Sequence, residues 1–375
     1  MRVLQISKFF PPVWGGIEAA AWELSEGLAR VGVVADVLCS NQRPVTEVST
    51  CAAGYQVVRA ASMGMALSTS IAPVMALQLR RMAVARDVIH VHMPDPMAAA
   101  ALWVVRPRAR VVLHWHSDVV RQRRAMRLYE PLQRWLLARA DAIIATSAAY
   151  ADASEPLRPW RHKVEIIPIG ISDNHSQACS IKAGVIRQQY RGRKLIFALG
   201  RMTYYKGFDV LIEAATELPE DSAVLIGGVG GLMDPLRAQI AARGLAGKVH
   251  MVGAIADEDL PSYFEACDVF CLPSTARSEA YGVAMVEAML MARPIVATEI
   301  DGSGVPWVNV EGETGFNVPV GQAGPLAAAL NRLLLDAPLR QRLGRAARER
   351  YQREFGAGLM TERTLALYNR LKTLP

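Results

Sequence analysis

Two glutamates, Glu279 and Glu287, stand eight residues apart in the run SEAYGVAMVEAM (278–289), among small and apolar neighbours. Charged side chains are rarely buried without partners, so these carboxylates need a task. On one helix, eight residues advance about 12 Å and leave the side chains about 80° apart, so the two do not act from one patch. The spacing predicts a helix that begins near Tyr281 and Gly282, with Glu279 in the preceding loop and Glu287 on the second turn. The free amides of Gly282 and Val283 would then suit a phosphate. A sugar nucleotide fits this layout, with sugar hydroxyls on Glu279, diphosphate on the amides and ribose hydroxyls on Glu287. Paired carboxylates also serve glycoside hydrolases, which need them ~5–10 Å apart. Linear spacing leaves that reading open.

A second loop favours the diphosphate. In GRMTYYKG (200–207), Arg201 and Lys206 follow a strand and bracket a turn that ends at Gly207. Two cations there can offset the charge of a departing phosphate. Near the start of the chain, KFFPPVWGGIEAAA (8–21) turns through two prolines and enters a helix after Gly15 and Gly16, whose amides also suit an anion. Histidines recur as HVH (90–92) and HWH (114–116). Strand alternation puts each pair on one face, with His92 and His116 nearest the strand ends. His116 reads as a ligand or catalytic group, and His90 and His114 as structural. Zinc ligation lacks the cysteines or acidic helix that would complete a site. Ser117 or Asp118 would cap the next helix. The acidic triplet Asp257-Glu258-Asp259 could hold a metal but reads as a helix start, where acids favour the dipole.

These loops need strands to carry them. Short apolar runs alternate with helical patterns in RVLQIS, VADVLCS, VIHVH, RVVLHWH, AIIATS and KVEIIPIG, and again in KLIFALGR, AVLIGG, VHMVG, VFCLPS, PIVATEI and GFNVPV. Such alternation implies right-handed crossovers and doubly wound parallel sheets. The fold class is therefore α/β, with two facing Rossmann-like domains and a ligand cleft between them. The domains are expected at 1–175 and 176–355, joined by a linker near residue 180, with a final amphipathic helix (356–375) packing back on the first domain. Length agrees: 375 residues exceed one ordinary core. No run reaches the ~18–20 apolar residues of a membrane helix, and the N-terminus reads as a strand. Five cysteines make no disulfide framework, consistent with reduced thiols in a cytoplasmic protein. The net charge of +7 belongs wholly to residues 1–172, with clusters at 106–110 and 121–127. That basic surface suits nucleic acid, anionic lipid or a phosphorylated acceptor.

Taken in order, PPVWGGIE, HWHSD, GRMTYYKGFDVLIEA, VGAIADEDL, LPSTARSEAYGVAMVEAM, RPIVATEIDG and GETGFNV resemble retaining glycosyltransferases of family 4, which have the two-domain GT-B fold. The resemblance spans nearly the whole chain. It implies that Arg201 and Lys206 contact a donor diphosphate, Glu287 its ribose and Glu279 the transferred sugar, with Tyr281, Gly282 and Val283 beside the phosphates. Ile255 would pack on the base, and Asp257 would favour guanine over uracil. Gly16 would approach the phosphate or acceptor, while Trp14, Gly15, His92 and His116 would face the acceptor. His116, Glu279, Arg201 and Lys206 make up the implied catalytic set, and neither metal nor cofactor is implied. The reaction would be hexose transfer, of mannose or rhamnose type, from a GDP-sugar in preference to a UDP-sugar. The acceptor would be a lipid-linked or oligosaccharide glycan of lipopolysaccharide or exopolysaccharide assembly, met at the cytoplasmic membrane face. Three positions depart from the family pattern: Ala292 for a glycine, GGVGG (227–231), and GSGVPWVN (302–309). A nucleotide-sugar epimerase shares the layout and is the alternative enzyme. A nucleic-acid-binding protein would use the basic half but lacks a recognised module.

Overall fold

The computed structural model describes residues 1–67, 69–119, 123–173 and 177–373. They form two compact units, Met1–Ser172 with Ala357–Pro375, and Asp173–Gly356. The first unit holds β1 (Arg2–Ser7), β2 (Val34–Ser40), β3 (Glu47–Thr50), β4 (Gln56–Ala60), a small ribbon of β5 (Met65–Ala66) and β6 (Thr69–Ser70), then β7 (Val88–Met93), β8 (Arg110–Trp115), β9 (Ala142–Ala145) and β10 (Val164–Ile166). Its main sheet runs β10-β9-β8-β7-β1-β2-β4-β3, parallel except for the edge strand β3. The second unit holds β11 (Lys194–Leu199), β12 (Ser222–Gly227), β13 (Val249–Gly253), β14 (Val269–Leu272), β15 (Ile295–Thr298) and β16 (Gly315–Val318). These pair in parallel in the order β13-β12-β11-β14-β15-β16.

Both sheets start in the middle, grow to one side, then jump back and grow to the other. The order reverses between β1 and β7 in the first unit and between β11 and β14 in the second. Loops that leave the carboxyl ends of strands flanking such a reversal diverge and open a crevice, where doubly wound folds bind ligands. The central strands are buried on both faces, as sheets covered by helices on each side require.

Two features differ from the sequence reading. The segment expected to link the domains near residue 180 is the helix Gln177–Gln189. It is fastened within the second unit by Ser180 to Glu265 (3.0 Å) and Arg187 to Asp268 (2.8 Å). It buries only Cys179 and Ala183 of its described side chains, too few to print a helical apolar stripe on the sequence. The expected boundary at 175/176 lies outside the described residues. The edge hairpin of β3 and β4 was not foreseen; β3 is largely exposed and carries no apolar alternation.

The last helix, Ala357–Thr373, belongs to the first unit. Met360, Leu367, Tyr368 and Leu371 join Val3, Leu24, Leu28 and Val112 in one core cluster. The helix lies so close to Gly16–Arg30 that a side chain at Gly27 would meet Thr361 Oγ1 at 1.9 Å and its Cβ at 3.1 Å. Gly27→Val should therefore cost about 1–3 kcal/mol by overpacking and lower the melting temperature by roughly 3–10 °C in a thermal scan. An unchanged melting temperature would mean that the helix does not pack here.

Candidate active site

In the second unit the reversal gathers charge. The loop after β11 carries Arg201 and Lys206, and the loop after β14 carries Ser274 and Glu279. Lys206 Nζ bonds Glu279 Oε2 at 2.6 Å, with the two side chains 12% and 10% exposed. Ser274 Oγ donates to the same carboxylate oxygen at 2.9 Å. Burial disfavours the Lys206 ammonium, but Glu279, Tyr205 and the hydrogen bond outweigh it and hold the group above its ordinary value. Arg201 is exposed and opposes that ammonium electrostatically. The loops are fixed from below, since Thr275 N donates to Tyr205 O and Ser303 Oγ donates to Glu279 O.

Glycine sets how closely these loops approach. Gly207 has φ +66°, and a Cβ there would lie 1.9 Å from Pro273 O. Gly228 would meet Gly200 O at 2.0 Å, and Gly230 would meet Met202 O at 2.6 Å. The run GGVGG, a departure from the family pattern, is thus what lets the loop after β12 lie against the loop after β11. Its glycine density was the signal in the sequence. Ser274, by contrast, left none.

The helix predicted from SEAYGVAMVEAM runs Val283–Leu290, with Gly282 as its left-handed cap at φ 81°. Glu279 lies in the loop before it and Glu287, half-buried, on its second turn. The Tyr281 side chain points away from the loop's open side. It is buried, 6.4 Å from the ring of Trp307 and 6.3 Å from that of Phe355, so it anchors the loop. Ile255 is half-buried and covers Gly227, while Asp257 is exposed on the loop after β13. The acidic triplet does open a helix, Leu260–Ala266, with Asp259 at the N-cap position, but it supplies no side-chain cap bond. Asp259 pairs instead with Lys182.

In the first unit the corresponding edge is buried and polar. Ser7 and Ser40 end β1 and β2, while Asp95, His116 and Thr146 follow β7, β8 and β9. Each has a buried side-chain atom without a hydrogen-bond partner among the described residues: Ser7 Oγ, Ser40 Oγ, Asp95 Oδ2, His116 Nδ1 and Thr146 Oγ1. Asp95 Oδ1 caps the helix Pro96–Val105, and burial pushes the carboxyl up to about 6. At this edge the rings of His92, His114 and His116 stack, with centroids of His114 and His116 4.1 Å apart and of His92 and His116 5.2 Å apart, while His90 meets His114 edge-on. Burial holds the His92 and His116 imidazoles well below the usual histidine range, so both are neutral.

His92 does not reach an acceptor as expected. It is 1% exposed, and its ring nitrogens are taken by His116 and Gln5. His90, His92 and His114 bring ring nitrogens within 4.8 Å of one another, a spacing a metal could bridge, but His90 and His92 spend both nitrogens on hydrogen bonds. Trp14 is 43% exposed and packs edge-on against Trp22. Gly15 precedes the helix Gly16–Arg30, whose start is already faced by a carboxylate: a Cβ on Gly15 would lie 2.5 Å from Glu18 Oε2. Asp118 accepts from the Trp115 indole (2.9 Å) and Ser154 Oγ (2.7 Å), and the helix start it was expected to cap lies outside the described residues. Of the basic clusters, Arg110 pairs with Asp141 at 3.1 Å and Arg106 is exposed, while residues 121 and 122 lie outside the described residues.

Comparison with known proteins gives the family. Residues 185–350 match the family model Glycosyl transferases group 1, and residues 14–175 match Glycosyltransferase Family 4. The chain is 32% identical to the O-antigen chain mannosyltransferase C of Escherichia coli over 99% of both proteins. It belongs to glycosyltransferase family 4. This glycosyltransferase is also 32% identical to the D-rhamnosyltransferase WbpZ of Pseudomonas aeruginosa, over 95% of its own length and 93% of that protein. Anabaena HepE, solved with UDP and glucose, superposes with a TM-score of 0.79 at 20% identity, over 99% of this chain and 100% of that one. The enzyme thus has the GT-B fold, two α/β units each built on a parallel sheet.

The buried pair predicts a stability coupling. Lys206→Met leaves Glu279 without its cation and should lower the unfolding free energy by roughly 3 kcal/mol. Lys206→Met with Glu279→Gln should be more stable than Lys206→Met alone, as read by urea denaturation. Because the Lys206 value is raised, its contribution is present below the ordinary lysine range and is lost only as pH rises through the higher folded value. The losses should therefore match at about pH 6 and pH 8. Strictly additive losses would mean that the two groups do not act as a pair.

Proposed function

We propose that the enzyme transfers a hexose of mannose or rhamnose type, with retention, from a nucleotide diphosphate sugar to a hydroxyl of a glycan or lipid-linked acceptor in O-antigen or related polysaccharide assembly. The carrying observation is the Lys206–Glu279 pair at the strand-order reversal, beside the capped start of the helix Val283–Leu290. A diphosphate needs cations and amides, a sugar needs acceptors, and these lie on adjacent loops. Arg201 and Lys206 would bear the charge that grows on the leaving phosphate, Glu279 would accept from sugar hydroxyls, and Glu287 from the ribose. The C1–O bond to phosphate breaks as the acceptor oxygen bonds C1 on the same face, and the acceptor proton passes to the departing phosphate oxygen. Those two cations supply the charge balance without a divalent metal. The mannosyl- and rhamnosyltransferase names of the two relatives support the sugar class. Asp257, exposed on the loop after β13, favours guanine, whose N1–H and amino group both donate.

Screening GDP- and UDP-sugars against lipid-linked glycans, with anomer analysis by NMR, tests this reading. GDP-mannose or GDP-rhamnose should give an α-linked product at rates that EDTA leaves unchanged. Lys206→Ala and Glu287→Ala should each lower transfer at least ~100-fold. Near-normal transfer in either variant, or a product of inverted configuration, would reject it.

The acceptor site in this proposal is the neutral polar edge of the first unit, where hydroxyls would find partners in His116 Nδ1, Ser7, Ser40 and Thr146. The same unit carries exposed apolar and basic side chains on the ribbon and the helices Val74–Met82 and Pro96–Val105 and at their ends. Met63, Met65 and Leu67 around the ribbon, Leu77 and Val84, and Trp103 and Val104 are 49–73% exposed, with Arg80, Arg81, Arg106 and Arg108 among them. Among the described residues no helix is long and apolar enough to cross a membrane. These exposed side chains suit an anionic membrane surface, where a lipid-linked acceptor resides. The enzyme should cosediment with vesicles containing anionic lipid and less with zwitterionic ones, and Leu67→Asp with Trp103→Asp should release it. Equal recovery with both vesicle types would refute the membrane reading.

A further inference from the structure

A hydrogen-bond chain through the first unit decides which ring nitrogen of His116 is bare. Ser25, in the helix Gly16–Arg30, gives its one hydroxyl hydrogen to Ala21 O at 2.8 Å. Its oxygen must therefore accept the 2.7 Å bond from the Gln5 side-chain amide nitrogen. That orients the amide of Gln5, so its carbonyl oxygen faces His92 Nε2 at 2.8 Å. A carbonyl only accepts, which places the His92 hydrogen on Nε2. A neutral imidazole has a single N–H, so His92 Nδ1 is a lone pair. The 2.9 Å contact from that atom to His116 Nε2 then requires the hydrogen on His116 Nε2. His116 Nδ1 is left without a hydrogen. It is buried, on a side chain 6% exposed, and has no partner among the described residues.

We infer that Gln5 is a positioning residue for transfer: through Ser25 and His92 it locks His116 as the Nε2–H tautomer, so that Nδ1 offers a lone pair to a substrate hydroxyl. This rests on the reading that the edge carrying His116 meets a substrate. A bare Nδ1 attracts an O–H donor and repels phosphate or carboxylate, so it selects a sugar or acceptor hydroxyl. Gln5 is a polar side chain between Leu4 and Ile6 in RVLQIS, at 0% exposure, a placement that needs such partners. The amide serves better than a carboxylate here because it donates to Ser25 and accepts from His92 at once.

The test is imidazole ¹⁵N–¹H correlation spectroscopy on the full-length protein labelled at histidine, with His116 assigned from the missing signal in His116→Gln. In the wild type His116 should be protonated at Nε2 only. Gln5→Met, similar in length but unable to hydrogen-bond, should give a tautomer mixture at His116. It should lower kcat at least ~10-fold while leaving binding of the nucleoside diphosphate product unchanged. Gln5→Glu, which keeps an acceptor facing His92, should restore the single tautomer and most of kcat. If Gln5→Met does not fold, Ser25→Ala, which frees the amide to flip, should show the same mixture. A wild-type His116 protonated at Nδ1, or a tautomer indifferent to both variants, would overturn the relay. A shifted tautomer with unchanged kcat would overturn the positioning role. The tautomer signal needs no turnover, so a wild type inert to every sugar nucleotide would sink the transfer reading and leave the relay readable on its own.

Discussion

Parallel strands deliver each following loop to the same edge of the sheet. Where the strand order reverses, two of those loops part instead of covering the edge. In the second unit the parted loops follow β11 and β14, and the physical problem there is to keep cations in place with no ligand present. A lone ammonium at 12% exposure would lose charge, because burial favours its neutral form. Glu279 prevents this by pairing with it at 2.6 Å, and Ser274 takes up a further lone pair of the same carboxylate oxygen. Such a pair contributes little net stability, since desolvation offsets most of the attraction. Its consequence is a charged, positioned lysine. In the proposed reaction the pair opens on one partner's behalf: the ammonium turns to phosphate and the carboxylate to sugar hydroxyls.

The two units present different chemistry at their strand-order reversals. The edge of the second is charged and glycine-rich, which suits close backbone approach to an anion. The edge of the first is buried and polar, its imidazoles neutral because burial penalises imidazolium. Hydroxyls ask for lone pairs and N–H groups at fixed orientation, with no charge that would attract competing anions. The stacked histidines, Gln5 and Ser25 supply that orientation from within the sheet and the helix packed on it. The final helix reaches the same network, because Tyr368 Oη lies 2.6 Å from His90 Nδ1.

Much of this was legible in the sequence, for identifiable reasons. Apolar runs between helical patterns print a doubly wound fold directly, and the glycine between Glu279 and Glu287 marked where the helix starts. Partnerships across loops left no print. Lys206 and Glu279 are 73 residues apart and read as two separate ligand contacts, whereas they hold each other. Tyr281 was expected beside the phosphates at the helix start, and only packing on Trp307 and Phe355 shows its side chain turned inward. His92 was placed on the correct face of its strand, but alternation cannot say whether a neighbour already fills that face. The helix Gln177–Gln189 was hidden by its small buried stripe, and Asp259 by a lysine 77 residues away.

The central claim is that the reversal between β11 and β14 is the donor site. Hydrogen–deuterium exchange with and without GDP measures it most directly, because amides that close on a diphosphate slow their exchange. Protection of residues 200–207 and 278–287, together with the base-side loop at 253–257, is the predicted result. Protection elsewhere in the second unit with those segments unchanged, for example around Tyr190, His250 and Tyr263, would contradict it.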